Sequence, residues 1–341
     1  MSELLKNPNI EPIDIEGKKI AFLSDLHLGD GEGADNFRYN ETALKAALEE
    51  YEKNGYELAL LGDIEEFWQF NLERIRQRYD PTIYSLIRKI GDKRVRRVFG
   101  NHDIEWSSPD DPARNTHPQK PLASEALKFR DKDDNVRILA IHGHQGSIES
   151  DKNSWFSRFF VKLYAATVES VLDWLGVRQE PSATKSQVAT DYEKIMYSWA
   201  KENKIILICG HSHRAIFASK TYLDELKDSY YDYESQTRAL GADPKDKKKL
   251  KEILKKKEET KRKIDDEVRK KREIIPLEAK GNSLLPCFFN TGCGLYTDGI
   301  TAIEIEDDEI RLVKWNKEGI RDSAFARKKG SMSKFIEKIS Q

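Results

Sequence analysis

The sequence predicts a layered α/β domain, and three observations carry that prediction. Short apolar runs of strand length recur along the chain. Segments with helical spacing separate the runs in the first half. Each run also ends directly in a polar cluster, so the chemistry-bearing side chains collect at strand ends.

Taken in order, residues 19–24 (KIAFLS) are the first strand and lead into Asp25-Leu26-His27. Residues 42–51 place Leu44, Ala47, Leu48 and Tyr51 at helical spacing. Residues 58–61 are a second strand, ending in Gly62-Asp63, and residues 71–90 read as helix through Ile75, Ile83, Leu86 and Ile87. Residues 95–99 precede Gly100-Asn101-His102-Asp103, residues 136–141 precede His142-Gly143-His144, and residues 205–209 precede Gly210-His211-Ser212-His213. Three later strands are expected at 287–290, 300–305 and 310–315.

Two segments interrupt this alternation. Residues 151–203 are helical and aromatic-rich, with a wide apolar face on 154–175 and a second helix at about 186–201. Residues 220–280 are highly charged and read as a helical hairpin broken at Gly241-Ala242-Asp243-Pro244. The expected organisation is therefore a core of 15–219 and 281–316, a hairpin of 220–280, and a mobile basic tail of 317–341.

Bulk composition narrows the class. The 341 residues include 58 Lys/Arg and 59 Asp/Glu, a formal charge of -1, which by itself selects neither nucleic acid nor membrane. Charge is concentrated locally: residues 245–272 hold 15 basic against 7 acidic side chains. That segment suits nucleic acid, an acidic membrane face or an acidic protein partner, and equally a solvated coiled-coil surface. Three cysteines, Cys209, Cys287 and Cys293, are odd in number and fit reduced thiols in a cytoplasmic compartment. The first residues lack the apolar run of a signal peptide, and no stretch of about 18 uncharged apolar residues exists to span a membrane.

Six of the seven histidines fall in the strand-end clusters: His27, His102, His142, His144, His211 and His213. Asp25, Asp63 and Asn101 accompany them. Imidazole nitrogens with carboxylate and amide oxygens suit Mn²⁺, Fe, Zn²⁺ or Ni²⁺, with Mn²⁺ the first expectation. Two divalent ions about 3.5–4 Å apart repel and need a bridging carboxylate, and Asp63 is the natural bridge.

The ordered set Asp25-x-His27, Gly62-Asp63-x-x-Glu66, Gly100-Asn101-His102-Asp103, His142-Gly143-His144 and Gly210-His211-Ser212-His213 resembles the calcineurin-like metallophosphoesterases. The resemblance implies a four-layer αββα sandwich, here with helical insertions. It implies one metal held by Asp25, His27, Asp63 and His213, and another held by Asp63, Asn101, His142 and His211. It gives His102 a place at the leaving oxygen, as acid or cationic stabiliser, with Glu66 oriented toward it. Asp103 is expected to support its turn, and His144 is left between several roles. The helical segment between the fourth and fifth clusters is similar to that of UDP-2,3-diacylglucosamine hydrolases, which cleave a pyrophosphate. The chain departs from many of them at His102, where they carry Arg, and in its charged hairpin.

Three functional readings follow. The first is a two-metal hydrolase of a phosphate ester or pyrophosphate, on a nucleotide or lipid-linked nucleotide. The second is a nuclease or end-processing phosphodiesterase that uses the basic hairpin. The third is a metal-binding scaffold without turnover. The expected location, from the cysteines, is the cytoplasm, peripheral to a membrane if the substrate is lipid-linked.

Overall fold

The computed structural model describes residues 1–108, 123–144, 187–221, 247–270, 284–326 and 328–341, with single positions between 227 and 237. The chain forms two compact units, Met1–Ser219 with Leu285–Gln341, and Lys220–Leu284.

The larger unit opens with α1 (Ser2–Lys6), β1 (Pro12–Asp14), β2 (Lys19–Leu23), α2 (Glu41–Lys53) and β3 (Glu57–Leu61). It continues through α3 (Leu72–Tyr79), α4 (Ser85–Ile90), β4 (Val95–Val98), β5 (Ala123–Ser124), β6 (Ala126–Arg130) and β7 (Val136–Ile141). Then come α5 (Gln187–Glu202), β8 (Ile206–Cys209) and β9 (Ala215–Phe217). In the smaller unit are β10 (Lys220–Thr221) and α6 (Lys247–Lys270). The chain returns with β11 (Phe288–Thr291), β12 (Gly299–Glu306), β13 (Glu309–Asn316), β14 (Lys329–Ser331) and α7 (Met332–Ser340).

Two sheets result. One runs β14-β13-β12-β2-β3-β4-β5, and the other contains β1-β6-β7-β8-β11-β9 in that order. β2, β3 and β4 are parallel neighbours, as are β7, β8 and β11, so all five metal-type clusters sit beyond carboxyl ends of parallel strands. β2, β3 and β8 read as apolar runs because both of their faces are covered.

The layers follow from where those faces are buried. Phe22, Leu61, Ile303 and Ile305 of the first sheet share one apolar core with Phe129, Ile138, Ile208 and Phe289 of the second. Tyr192, Met196 and Ala200 of α5 join the same core. On the outer face of the first sheet, Leu23, Leu60 and Ala302 pack with Leu44 and Leu48 of α2 and Ile87 of α4. The arrangement is the αββα sandwich. Among the described residues, no helix is long and apolar enough to cross a membrane.

Several elements differ from the sequence reading. The helix expected over 71–90 is split into α3 and α4 by a π-type turn, Asp80–Tyr84, because Pro81 cannot continue the hydrogen-bond ladder. β6 was not expected, since Lys128 and Arg130 break its apolar pattern. Lys128 is nonetheless buried, with its ammonium donating to Leu5 O at 3.3 Å and Asn7 O at 2.7 Å. The 154–175 helix lies outside the described residues.

The expected mobile tail is corrected. Residues after 316 end in a strand and a helix: β14 pairs antiparallel with β13, and α7 buries Met332 and Ile339. Met332, Phe335, Ile336 and Ile339 are spaced for one helical face, a signal masked by the surrounding lysines. Ser331 caps the helix by accepting from Lys334 N. In the smaller unit, α6 has Lys257 against Tyr230 and Glu234, at 4.9 Å from the ring and 3.4 Å from the carboxylate.

Deleting 329–341 should therefore cost roughly 3–6 kcal/mol from the lost burial of Met332 and Ile339 alone. Urea denaturation measures it, and an unchanged midpoint would refute the docking of α7. A second expectation concerns acid. The hydrogen bond from Lys19 leads the causes that, against burial and with help from Arg311 and Tyr56, hold the Glu306 carboxyl at about 2 from its ordinary 4.5. A depressed pKa stabilises above 4.5 and loses that contribution as pH falls toward 2. Glu306→Gln should flatten this limb in a stability-against-pH series.

Candidate metal centre

The five strand-end clusters converge on one rim of the sandwich. Their backbone is unusual: Asp25, His27, Asp63, His211 and His213 all have left-handed φ, between 50° and 68°. Such conformations cost about 1–3 kcal/mol each and persist where surrounding bonds over-determine them. Those bonds are present. Asp25 N donates to Gly62 O at 3.1 Å, His27 N to Asp63 O at 3.0 Å, Gly294 N to Asp25 O at 2.9 Å and Gly210 N to His142 O at 2.9 Å.

The side chains form two donor groups that meet at Asp63. In the first, His213 Nε2 is 3.1 Å from Asp25 Oδ1 and 3.2 Å from His27 Nε2. In the second, His142 Nε2 is 3.2 Å from Asp63 Oδ2, from His211 Nδ1 and from Asn101 Oδ1. Asp63 Oδ2 also lies 3.9 Å from His27 Nε2, which links the two groups. Asp25, His27, Asp63, Asn101, His142, His211 and His213 are thus brought together.

This donor set fits divalent cations. His142 Nδ1 faces Leu61 O at 2.8 Å, a bond it can only donate, which leaves Nε2 as a lone pair in the neutral ring. His27 Nδ1 faces Glu66 Oε2 at 2.7 Å, with the same consequence for its Nε2. Nitrogen lone pairs then point at nitrogens, His142 toward His211 and His27 toward His213, and each pair needs a proton or a metal ion between. Compact groups able to hold an ion are Asp25-His27-His213, Asp63-His142-His211 and His27-Glu66-His102.

Electrostatics agree with a centre built for positive charge. Burial pushes Asp63 up, but His142, His102 and His27 outweigh it and hold its carboxyl well below the usual range. Asp25 is lowered in the same way, by His213 against burial. His142 rises to about 9, because Asp63 outweighs burial. Burial and the adjacent His142 push His211 well down, and push His144 down to about 3.

His102 stands apart from the two donor groups. Its backbone N donates to Asp63 Oδ1 at 2.8 Å, and its Nδ1 lies 2.8 Å from Glu66 Oε1. Glu66 thereby accepts from two imidazoles, His102 and His27, which offset burial and hold it at about 2. Burial lowers His102, yet Asp63 and Glu66 raise it above its ordinary value.

The remaining expectations resolve as follows. Asp103 accepts from Ile64 N at 2.8 Å and Gly100 N at 2.6 Å, the geometry of a turn support. His144 is buried, its ring 5.5 Å from His142 and 5.8 Å from Phe99, outside the compact donor groups.

Sequence reading missed the layer behind the donors. Glu65 accepts from Arg97, Trp106 and Tyr84 at 2.7–2.9 Å and ties the second cluster to the third. Asn290 Nδ2 donates to Gly210 O at 2.6 Å, and Tyr296 Oη to His213 O at 2.8 Å. On α5, Tyr192 donates to Gly143 O at 2.5 Å, and Glu193 holds Ser212 at 2.8 Å and Arg214 at 3.1 Å. Only Asn290 had a signal, since β11 also ends in a polar, glycine-containing cluster.

A double-sheet αββα sandwich with a strand-end His/Asp centre defines the class of metal-dependent phosphoester hydrolases. The chain belongs to the calcineurin-like phosphoesterase family, whose model matches residues 18–215. No curated protein and no solved structure matches it.

Gly100 has room for no side chain: a Cβ there would strike the Asp63 carboxylate and come within 2.6 Å of Asp63 N. Gly100→Ala should keep the far-UV circular dichroism spectrum and weaken Mn²⁺ binding by about 10–100-fold. Unchanged affinity would show that the position of Asp63 does not depend on this gap.

Proposed function

We propose that the protein is a two-metal phosphoesterase that hydrolyses a phosphate ester or pyrophosphate by an activated water. The convergence of both donor groups on the Asp63 carboxylate is the observation that carries this reading. One cation would be held by Asp25, His27, Asp63 and His213, the other by Asp63, Asn101, His142 and His211. Mn²⁺ is the proposed ion, and Fe, Zn²⁺ and Ni²⁺ suit the same donors. When bound, two such ions supply Lewis-acid hold on the phosphate oxygens and a water of lowered pKa.

The chain's own residues do the rest. Asp63, anchored by His102 N, fixes the spacing between the two groups. Glu66 accepts from His27 and His102 together, so it orients a ligand and the catalytic imidazole at once. His102 donates a proton from Nε2 to the leaving oxygen as that oxygen takes the electron pair of the breaking P–O bond. The intact donor set and His102 argue against an idle scaffold.

A nucleotide or lipid-linked nucleotide is the proposed substrate class. It rests on the helical, aromatic-rich sequence pattern of 151–203, of which 151–186 lie outside the described residues. A nuclease is the second reading, favoured by α6, which carries 12 Lys/Arg against 6 Asp/Glu. The cysteines, three in number and all buried, support a reducing, cytoplasmic setting because an odd count does not make a disulfide framework.

Turnover of bis-p-nitrophenyl phosphate and p-nitrophenyl phosphate with Mn²⁺ tests the reaction class. Chelation should abolish it, and added Mn²⁺ should restore it. Asp63→Asn should abolish turnover, and His102→Ala should lower kcat by about 10²–10⁴-fold on substrates with poor leaving groups. Full activity in chelator would overturn the reading. Salt-sensitive DNA binding, lost on deleting 245–272, would favour the nuclease.

A further inference from the structure

We propose that Trp68 is the positioning residue of His102, holding its ring so that Nε2 meets the leaving oxygen. The inference rests on the role of His102 given above. Trp68 is a large aromatic left 46% exposed, yet its indole is stacked on the His102 imidazole, centroids 3.7 Å apart and planes 25° apart. The turn that carries it is closed by backbone bonds of its neighbours. Gln69 N and Phe70 N fold back to Glu66 O at 3.3 and 3.0 Å, and Phe67 N donates to His102 O at 3.1 Å. The Phe67 ring packs 5.3 Å from Trp106.

The His102 ring is therefore restrained on three sides. Glu66 takes Nδ1, Trp68 covers one face, and His27 meets the ring edge-on at 4.7 Å and 83°. Glu66 can fix one ring atom but cannot stop rotation about the axis through it. The stack supplies that second restraint, because a flat indole against a flat imidazole opposes tilting. Nε2 is the ring atom left for the substrate. Trp68 makes no bond to the phosphate; it acts through the direction of the N–H that ends on the departing oxygen.

The test uses the full chain loaded with Mn²⁺ and aryl phosphate esters whose phenols range from p-nitrophenol to unsubstituted phenol. Trp68→Ala should lower kcat by about 10–100-fold for the phenyl ester and by less than about threefold for the p-nitrophenyl ester. Trp68→Phe should restore most of the loss, with bound metal and thermal midpoint unchanged in both. An equal loss across the series would overturn the inference. So would a rise in KM alone, which would make the indole a substrate platform. His102→Ala run on the same series separates the two claims. If it shows no leaving-group dependence, the role of His102 fails. If it does and Trp68→Ala does not, only the inference about Trp68 fails.

Discussion

The buried carboxylate of Asp63 is the constraint on which the rest of the centre depends. One oxygen accepts from His102 N, and the other lies between His142 and His27. A carboxylate with almost no solvent is costly unless it is compensated, and here burial is outweighed by His142, His102 and His27, which hold its carboxyl well below the usual range. Much nearby geometry follows from making room for it. Gly100 must lack a side chain, and Gly62 must turn with φ of 82°. Asp63 itself takes a left-handed conformation so that its side chain leaves β3 toward both donor groups.

Strain is concentrated at the same rim. Left-handed φ at five donor residues is offset by backbone bonds between neighbouring loops. The first loop leans on the second through Asp25 N and His27 N, and the fifth leans on the fourth through Gly210 N. The sandwich holds these loops at fixed separation because the strands beneath share a close-packed core. Rigidity of the scaffold is thus what lets a metal-type site keep an unfavourable backbone.

Much of this was legible in the sequence. Strands were readable wherever both faces are buried, because burial forces an apolar run of the right length; β2, β3, β7 and β8 are of this kind. The donor residues were readable because each follows such a run. β6 was not, since Lys128 and Arg130 look like surface residues until α1 and Asp14 supply their partners. The tail was misread because charge outweighed spacing: the lysines around Met332 and Ile339 hide a four-residue apolar face. The split of α3 from α4 at Pro81 was a local signal read too lightly.

The sequence by itself determined the layered α/β class, the strand-end positions of the donors and the kinds of metal they suit. Those properties depend on local pattern and side-chain chemistry, which a linear reading carries. The division of the donors into two groups meeting at Asp63 was already implied by the family resemblance; only the tertiary structure decided that Glu66 serves His27 and His102 together. It alone revealed the supports: Glu65 with Arg97, Asn290 behind Gly210, and Tyr192 and Glu193 of α5 against the two histidine loops. The physical reason is separation along the chain. Asn290 and Gly210 stand 80 residues apart, and a hydrogen bond across that distance leaves no periodicity for a sequence to show.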